Sequence, residues 1–381
     1  MIKGFNKVNV YVEGEGIVRR TITIEDGKIK KIGQDDQPDY LTLDNNLIVI
    51  PGFIDEHIHG ANHSDAMYPE YNHIENIAKT VAKEGVTSFC ATTMTQSIEA
   101  IDAALANIKN YIESKNPNGA EVIGIHLEGP FISKQFKGAQ GEQWILPCSV
   151  KDFKHFEEVS GNNIKIATMA YENDGKELVH YLKQKGIVPS LGHTASTFEQ
   201  AREAFKEGMK CTTHTYNAMQ AFKNREPGTV GAALVSDEVR CELICDLFHV
   251  SPTAIKILLR CKGLDKVVAI TDGMEAKHLP DGEYALGGQP VYVKDTFARL
   301  ADGTIAGSTL KMNVAMRNFT KTIGLSFTQA VDLATINPAK NLGIFDKKGS
   351  IKQGKDADFA VVDKDFNVYM SVRGGNIVYQ K

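Results

Sequence analysis

The chain has 381 residues, too many for one minimal domain and suited to a large domain with a smaller companion. Apolar residues make up 42% and charged residues 24%, the balance of a soluble globular protein. A formal net charge of −4 supplies no basic field, which argues against a nucleic-acid or acidic-membrane binder but leaves room for a local phosphate pocket.

The first twenty residues hold one short apolar stretch, Val8–Val12, followed at once by Glu13. That is not a signal peptide, so a cytoplasmic location is expected. No segment has the length of a membrane span. Short strand-like runs follow at Lys7–Val12, Val18–Glu25, Lys28–Ile32 and Leu41–Ile50, with Asp26-Gly27 as a hairpin turn. The C-terminal end repeats this character at Asp358–Asp363, Phe366–Val372 and Asn376–Tyr379, with Gly374-Gly375 as the turn. The two ends, residues 1–50 and 345–381, are therefore expected to pair into one small β-sandwich domain.

Between them, residues 51–344 alternate strand and helix. Apolar runs lie at Val49–Ile58, Thr87–Thr92, Glu121–Leu127, Ile164–Ala170, Gly186–Leu191, Lys210–Thr215, Glu242–Phe248 and Lys266–Thr271. Helical patterns fall at Ile74–Glu84, Ser97–Ser114, Lys176–Lys185, Thr197–Glu207, Pro252–Arg260 and Lys311–Thr322, and Thr197 with Gln200 forms a capping-box signal. Eight strands alternating with helices predict an α/β fold, a closed (β/α)8 TIM-type barrel. An open doubly wound sheet is the runner-up, but it would not explain why polar residues mark the C-terminal end of nearly every strand. The six cysteines, Cys90, Cys148, Cys211, Cys241, Cys245 and Cys261, read as reduced core residues.

Those strand ends carry ligand-type residues. The first ends in His57 and His59, two apart and so on one face of a strand. The third ends His126-Leu-Glu128, the fifth leads to His193, the sixth to His214 and Asn217, the seventh to His249, and the eighth to Asp272. A barrel brings its C-terminal strand ends to one mouth. Imidazole and carboxylate together bind zinc, iron or a similar divalent ion, and such an ion lowers the pKa of a bound water from ~15.7 towards ~7. Asp272 is placed to take that water's proton; the bland alternative is a solvated turn aspartate. Glu128, His193 and His214 read as ligands, whereas His126 is read as a packed core residue in preference to a partner of the ligands. His63, His73, His155, His180 and His278 have surface or loop settings. Arg225, in the turn-rich loop after strand six, is either a fork for a phosphate or carboxylate or a solvated loop cation.

Taken in order, the motifs are Pro51-Gly-Phe-Ile-Asp-Glu-His57-Ile-His59-Gly, His126-Leu-Glu128-Gly-Pro-Phe, Leu191-Gly-His193-Thr, Thr213-His214-Thr-Tyr-Asn217-Ala-Met, Arg225-Glu-Pro-Gly, Asp272-Gly-Met, Ala306-Gly-Ser308-Thr-Leu310 and the terminal Asn337-Pro-Ala-Lys. Together they resemble the N-acetylglucosamine-6-phosphate deacetylase family of the amidohydrolase superfamily along the whole chain. The resemblance implies hydrolysis of the acetamide of N-acetyl-D-glucosamine 6-phosphate, in amino-sugar catabolism and cell-wall recycling. It implies His57, His59, Glu128, His193 and His214 as ligands of two divalent ions, Zn, Fe or similar, with Glu128 as the bridge. Asp272 would carry the proton from the attacking water to the leaving amine. By the same resemblance, Asn217, Ala218, Arg225 and His249 contact the sugar phosphate, Ala139, Gln140, Ser308, Thr309 and Leu310 line the rest of the pocket, and the protein is a homodimer. Gln140 stands where several relatives carry histidine, so a charged role there is in doubt. The rivals are an amidohydrolase acting on a cyclic amide, as dihydroorotases and hydantoinases do, and an inactive scaffold with the same fold.

Overall fold

The computed structural model describes residues 1–381. Eight parallel strands run in chain order around a nearly closed barrel: Phe53–Ile58, Val86–Thr93, Glu121–Glu128, Ile164–Met169, Val188–Leu191, Cys211–Thr212, Arg240–Ile244 and Val267–Ile270. The second is buried at every position, as expected of a parallel strand covered on both faces. Helices lie between most of them. Their starts follow from hydroxyl caps: Ser97, Ser149 and Ser251 each accept from the backbone N–H three residues on, and Thr197 with Gln200 completes a reciprocal capping box.

The barrel closes between its eighth and first strands without a regular ladder. Asp272 N donates to His57 O at 2.9 Å, and the buried Asp55 carboxylate accepts from Thr271 N at 3.2 Å and from Thr271 Oγ1 at 2.6 Å. A side chain thus replaces part of a ladder at this seam. It also fixes the segment that leads into Asp272.

Both chain ends contribute to one seven-stranded sheet, including Gly4–Val12, Gly16–Glu25, Lys28–Gly33, Ile48–Pro51, Phe359–Val362, Val368–Arg373 and Asn376–Gln380. It encloses its own apolar core, in which Phe5 meets Phe359 edge-on at 5.7 Å. No helix is long and apolar enough to cross a membrane.

Several sequence expectations are corrected. The run Val49–Ile58 is two strands, because Ile48–Pro51 joins the end sheet and Phe53–Ile58 the barrel. The break falls at Gly52, where a Cβ would lie 2.1 Å from Thr87 Oγ1, so only glycine permits this approach. Leu41 pairs only through one isolated bridge to Phe5. The sixth strand has two residues, and the seventh stops at Ile244, five before His249, where Asp246 Oδ1 accepts from the N–H groups of Phe248 and His249 and turns the chain. Helix Val150–Val159 and the antiparallel insert Gly282–Leu286, Gln289–Lys294 and Phe297–Arg299 were not foreseen. All six cysteines are free, but Cys261 is exposed on the outer side of helix Pro252–Lys262 and Cys148 is half-buried, so neither is a core residue.

The sheet is tied to the barrel by polar contacts. Buried Lys348 lies 2.6 Å from Asp358, 3.1 Å from Asp356 and 2.7 Å from Glu121, which begins the third barrel strand. Burial alone would lower the Lys348 pKa, but these three carboxylates drive it upward. Removing the cation would leave Asp358 buried and unpaired. Lys348→Ala is therefore expected to cost about 3 kcal/mol, seen as a lower thermal midpoint. An unchanged midpoint would show that this cluster is not a tie.

Candidate active site

At the barrel mouth Glu128 reaches four imidazoles from three other strand ends. Its Oε1 lies 3.2 Å from His193 Nε2, 3.1 Å from His214 Nε2 and 3.5 Å from His57 Nε2, and its Oε2 lies 3.3 Å from His59 Nε2. The Nε2 atoms of His193 and His214 are 3.1 Å apart. Asp272 Oδ1 sits 3.2 Å from His59 Nε2 and 3.5 Å from His57 Nε2. Thus all five expected ligands and the expected base converge, and all six are buried.

Three of these residues occupy left-handed backbone: His193 at φ 45°, His214 at φ 31° and Asp272 at φ 49°, with Ala218 at 49° beside them. Non-glycine residues there store strain of about 1–3 kcal/mol each. The reversal turns side chains inward just past each strand end, as His193 shows by reaching both Glu128 and, through Nδ1, the Phe136 carbonyl at 2.8 Å.

The donor set suits divalent metal. His57 Nε2 and His214 Nδ1 are buried without a hydrogen-bond partner. Two groups, His57 with His59 and Glu128, and Glu128 with His193 and His214, each bring three donor atoms close together. A tetrahedral ion with ~2.1 Å bonds needs ligand atoms about 3.4 Å apart, close to the spacings given above. Imidazole nitrogen with carboxylate oxygen matches zinc- or iron-like ions better than calcium or magnesium.

Electrostatics bind the cluster further. Burial would raise Glu128, but His57 and His193 hold it well below the usual carboxylate range. Asp272 is likewise opposed by burial yet held at about 2 by His57 and His59, and so is ionised near neutrality. Burial lowers His57, whereas Asp272 and Glu128 overcome burial to raise His59.

The remaining expected residues divide. A cavity of about 320 Å3 opens over Glu128 and Asp272, lined among others by Ala139, Gln140, Asn217, Ala218 and His249, a size within the small-molecule range. His249 is held by Asp246 Oδ2 at 2.6 Å. Arg225 is exposed on its loop and does not line this cavity. Nor do Ser308, Thr309 and Leu310: the Ser308 hydroxyl donates to Thr271 O, its N–H donates to Asp272 O at 2.8 Å, and Thr309 Oγ1 donates to Thr296 O. Ser308 therefore steadies the Asp272 turn. Gln140 also does more than line a wall. Thr95 N donates to its Oε1 at 2.8 Å, which aims its Nε2 at Glu128 Oε2, 3.0 Å away. His126 is buried between the Glu56 carbonyl and Thr168 Oγ1, as a core histidine should be.

Comparison with known proteins places the chain in a family. The amidohydrolase family model matches residues 48–378. The chain is similar to the N-acetylglucosamine-6-phosphate deacetylase of Bacillus subtilis (strain 168), with 40% identity over 98% of this chain and 96% of that one. It belongs to the amidohydrolase family, among the N-acetylglucosamine-6-phosphate deacetylases. The crystal structure of N-acetylglucosamine-6-phosphate deacetylase from Thermotoga maritima superposes with a TM-score of 0.90 at 35% identity, covering 99% of each chain. An N-acetylgalactosamine-6-phosphate deacetylase of Escherichia coli O157:H7 is 34% identical over 91% of each chain.

Two features of the amidohydrolase site escaped the sequence reading. Glu242, on the seventh strand, touches His57 Nδ1 at 3.0 Å. Its signal was a carboxylate inside an apolar run, Cys241–Cys245, where an uncompensated charge is costly. Leu286, Thr304 and Ile305 form cavity wall from the insert and the loop after it, where the chain offers no motif.

Metal removal gives a direct test. Exhaustive chelation is expected to abolish turnover and lower the thermal midpoint, since an ion held at a hundredfold excess over its Kd stabilises by about 2.7 kcal/mol. Adding back a divalent ion should restore both. An unchanged midpoint after verified metal loss would count against a cation at Glu128.

Proposed function

We propose that this amidohydrolase hydrolyses the acetamide of N-acetyl-D-glucosamine 6-phosphate to D-glucosamine 6-phosphate and acetate, holding two divalent ions per subunit, in amino-sugar catabolism and cell-wall recycling. The observation that carries the reading is the ionised Asp272 carboxylate beside two histidine pairs that share Glu128, at the floor of a cavity of sugar size. His57, His59 and Glu128 would hold one ion, and Glu128, His193 and His214 the other. When bound, the ions polarise the acetamide carbonyl and acidify the attacking water. Asp272 Oδ1 accepts the proton that water loses as its oxygen bonds to the acetyl carbon. The same carboxyl group then gives that proton to the sugar nitrogen as the C–N bond breaks.

The walls support the substrate assignment. His249, with Asn217 and Ala218, would meet the phosphorylated end of the sugar. Burial would lower the His249 pKa, but Asp246, with a smaller contribution from Asp272, raises it. A protonated imidazole there favours an anion. A cyclic-amide substrate is less well supported: the only strand-four lysine is Lys165, near the start of that strand, while Thr168 nearer its mouth end is engaged by His126. An inactive scaffold would not need a complete ligand set. A homodimer belongs to this reading, because Phe222 (59% exposed), three residues before Arg225, and Val235 (60% exposed) are left as apolar side chains in solvent; sedimentation as a monomer at micromolar concentration would remove it.

Acetate release should be measured on N-acetylglucosamine 6-phosphate, its galactosamine epimer and unphosphorylated N-acetylglucosamine. The first is expected to give the highest kcat/KM, and equal turnover with and without phosphate would sink the assignment. Asp272→Asn should lower kcat about a hundredfold or more. The sign of the pH effect is fixed by the raised His249: its proton is lost as pH rises through a folded pKa above the ordinary histidine value. KM for the phosphorylated sugar should therefore climb as pH rises through that pKa, and His249→Gln should flatten that climb.

A further inference from the structure

All four site histidines face Glu128 through Nε2, and an imidazole that binds metal through Nε2 carries its proton at Nδ1. The four site histidines meet this need differently. His59 Nδ1 faces the Thr92 carbonyl at 3.2 Å, and His193 Nδ1 faces the Phe136 carbonyl at 2.8 Å. A carbonyl can only accept, so the backbone sets both tautomers. His214 Nδ1 is buried without a partner. His57 alone relies on an ionisable side chain, the Oε2 of Glu242 at 3.0 Å. The same oxygen accepts from His214 N at 3.1 Å, so it already acts as an acceptor within the site. Both His57 and Glu242 are fully buried. The His57 ring is wedged against His126, centroids 4.4 Å apart, and His126 is itself fixed by Glu56 O and Thr168 Oγ1.

We propose that Glu242 is a positioning residue for metal, setting the tautomer and aim of His57 and thereby the affinity of the His57/His59 ion position. This rests on the two-ion reading above. A side-chain acceptor on the far nitrogen fixes the ring and its proton, and losing such a partner typically weakens metal binding 10–100-fold. The effect falls mainly on one position because His193 and Glu128 keep their own anchors, the Phe136 carbonyl and the Gln140 amide. Through the His214 amide Glu242 touches that group only at backbone, which the Thr215 N–H also anchors at Glu242 O.

The test uses metal-stripped full chain, titrated with Zn2+ by equilibrium dialysis with elemental counting, and with the apo thermal midpoint recorded for each protein. Wild type is expected to bind two ions. Glu242→Ala should bind one with wild-type affinity and the second at least tenfold more weakly. Glu242→Gln keeps an acceptor oxygen but can turn its amide N–H toward His57 instead, so its second ion should fall between the two. Full affinity at both positions in either variant overturns the proposal, as does equal weakening at both. If the alanine variant does not fold, the glutamine variant decides by the same criteria. Wild type that binds a single ion and is matched by His57→Ala overturns the two-ion reading itself, a result distinct from failure of Glu242 alone.

Discussion

A single carboxylate, Glu128, bears the geometry of this site. It is buried, and four imidazoles face its two oxygens. A buried anion persists only if cations or donors surround it. Here that demand is met by side chains from the first, fifth and sixth strand ends and by the Gln140 amide. Each depends on strand register. Shift one strand by two residues, about 6–7 Å along its axis, and its ligand leaves the cluster altogether. The seam stitched by Asp55 and Thr271 therefore matters as much as any ligand, because it sets the first strand, with His57 and His59, against the eighth, with Asp272.

The legible parts of the molecule were those where chemistry and period coincide. His57 and His59 show a period of two at the end of a buried run, and Glu128, His193, His214 and Asp272 each follow an apolar strand. Alternation of strand and helix made the barrel readable. Other features were hidden because they are relations and not patterns. Gly52 looks like any turn glycine until Thr87 is seen against it. Glu242 counts as one polar residue in an apolar stretch until His57 is found opposite. Gln140 reads as a pocket wall, whereas Thr95 aims it at Glu128. Arg225 shows the converse: its loop motif is plain, but the side chain stands outside the cavity of its own chain.

The cavity walls follow a different logic from its floor. The floor belongs to strand ends, which the barrel fixes. Much of the wall comes from segments that hold one another: Gln96 Nε2 donates to Gly287 O at 3.0 Å, and Gln289 donates to Ala139 O. The insert thus spans the mouth from the second strand's loop to the third's.

The left-handed residues at the mouth carry a consequence for how this chain can be improved or can drift. Four of them at about 1–3 kcal/mol each store an amount comparable with the net stability of a typical domain. Glycine at His193, His214 or Asp272 would relax the backbone but strip a partner from buried Glu128 or His59. Only Ala218 can take glycine without that loss, so a search for a more robust chain has one of these four turns to work on and must leave the other three strained.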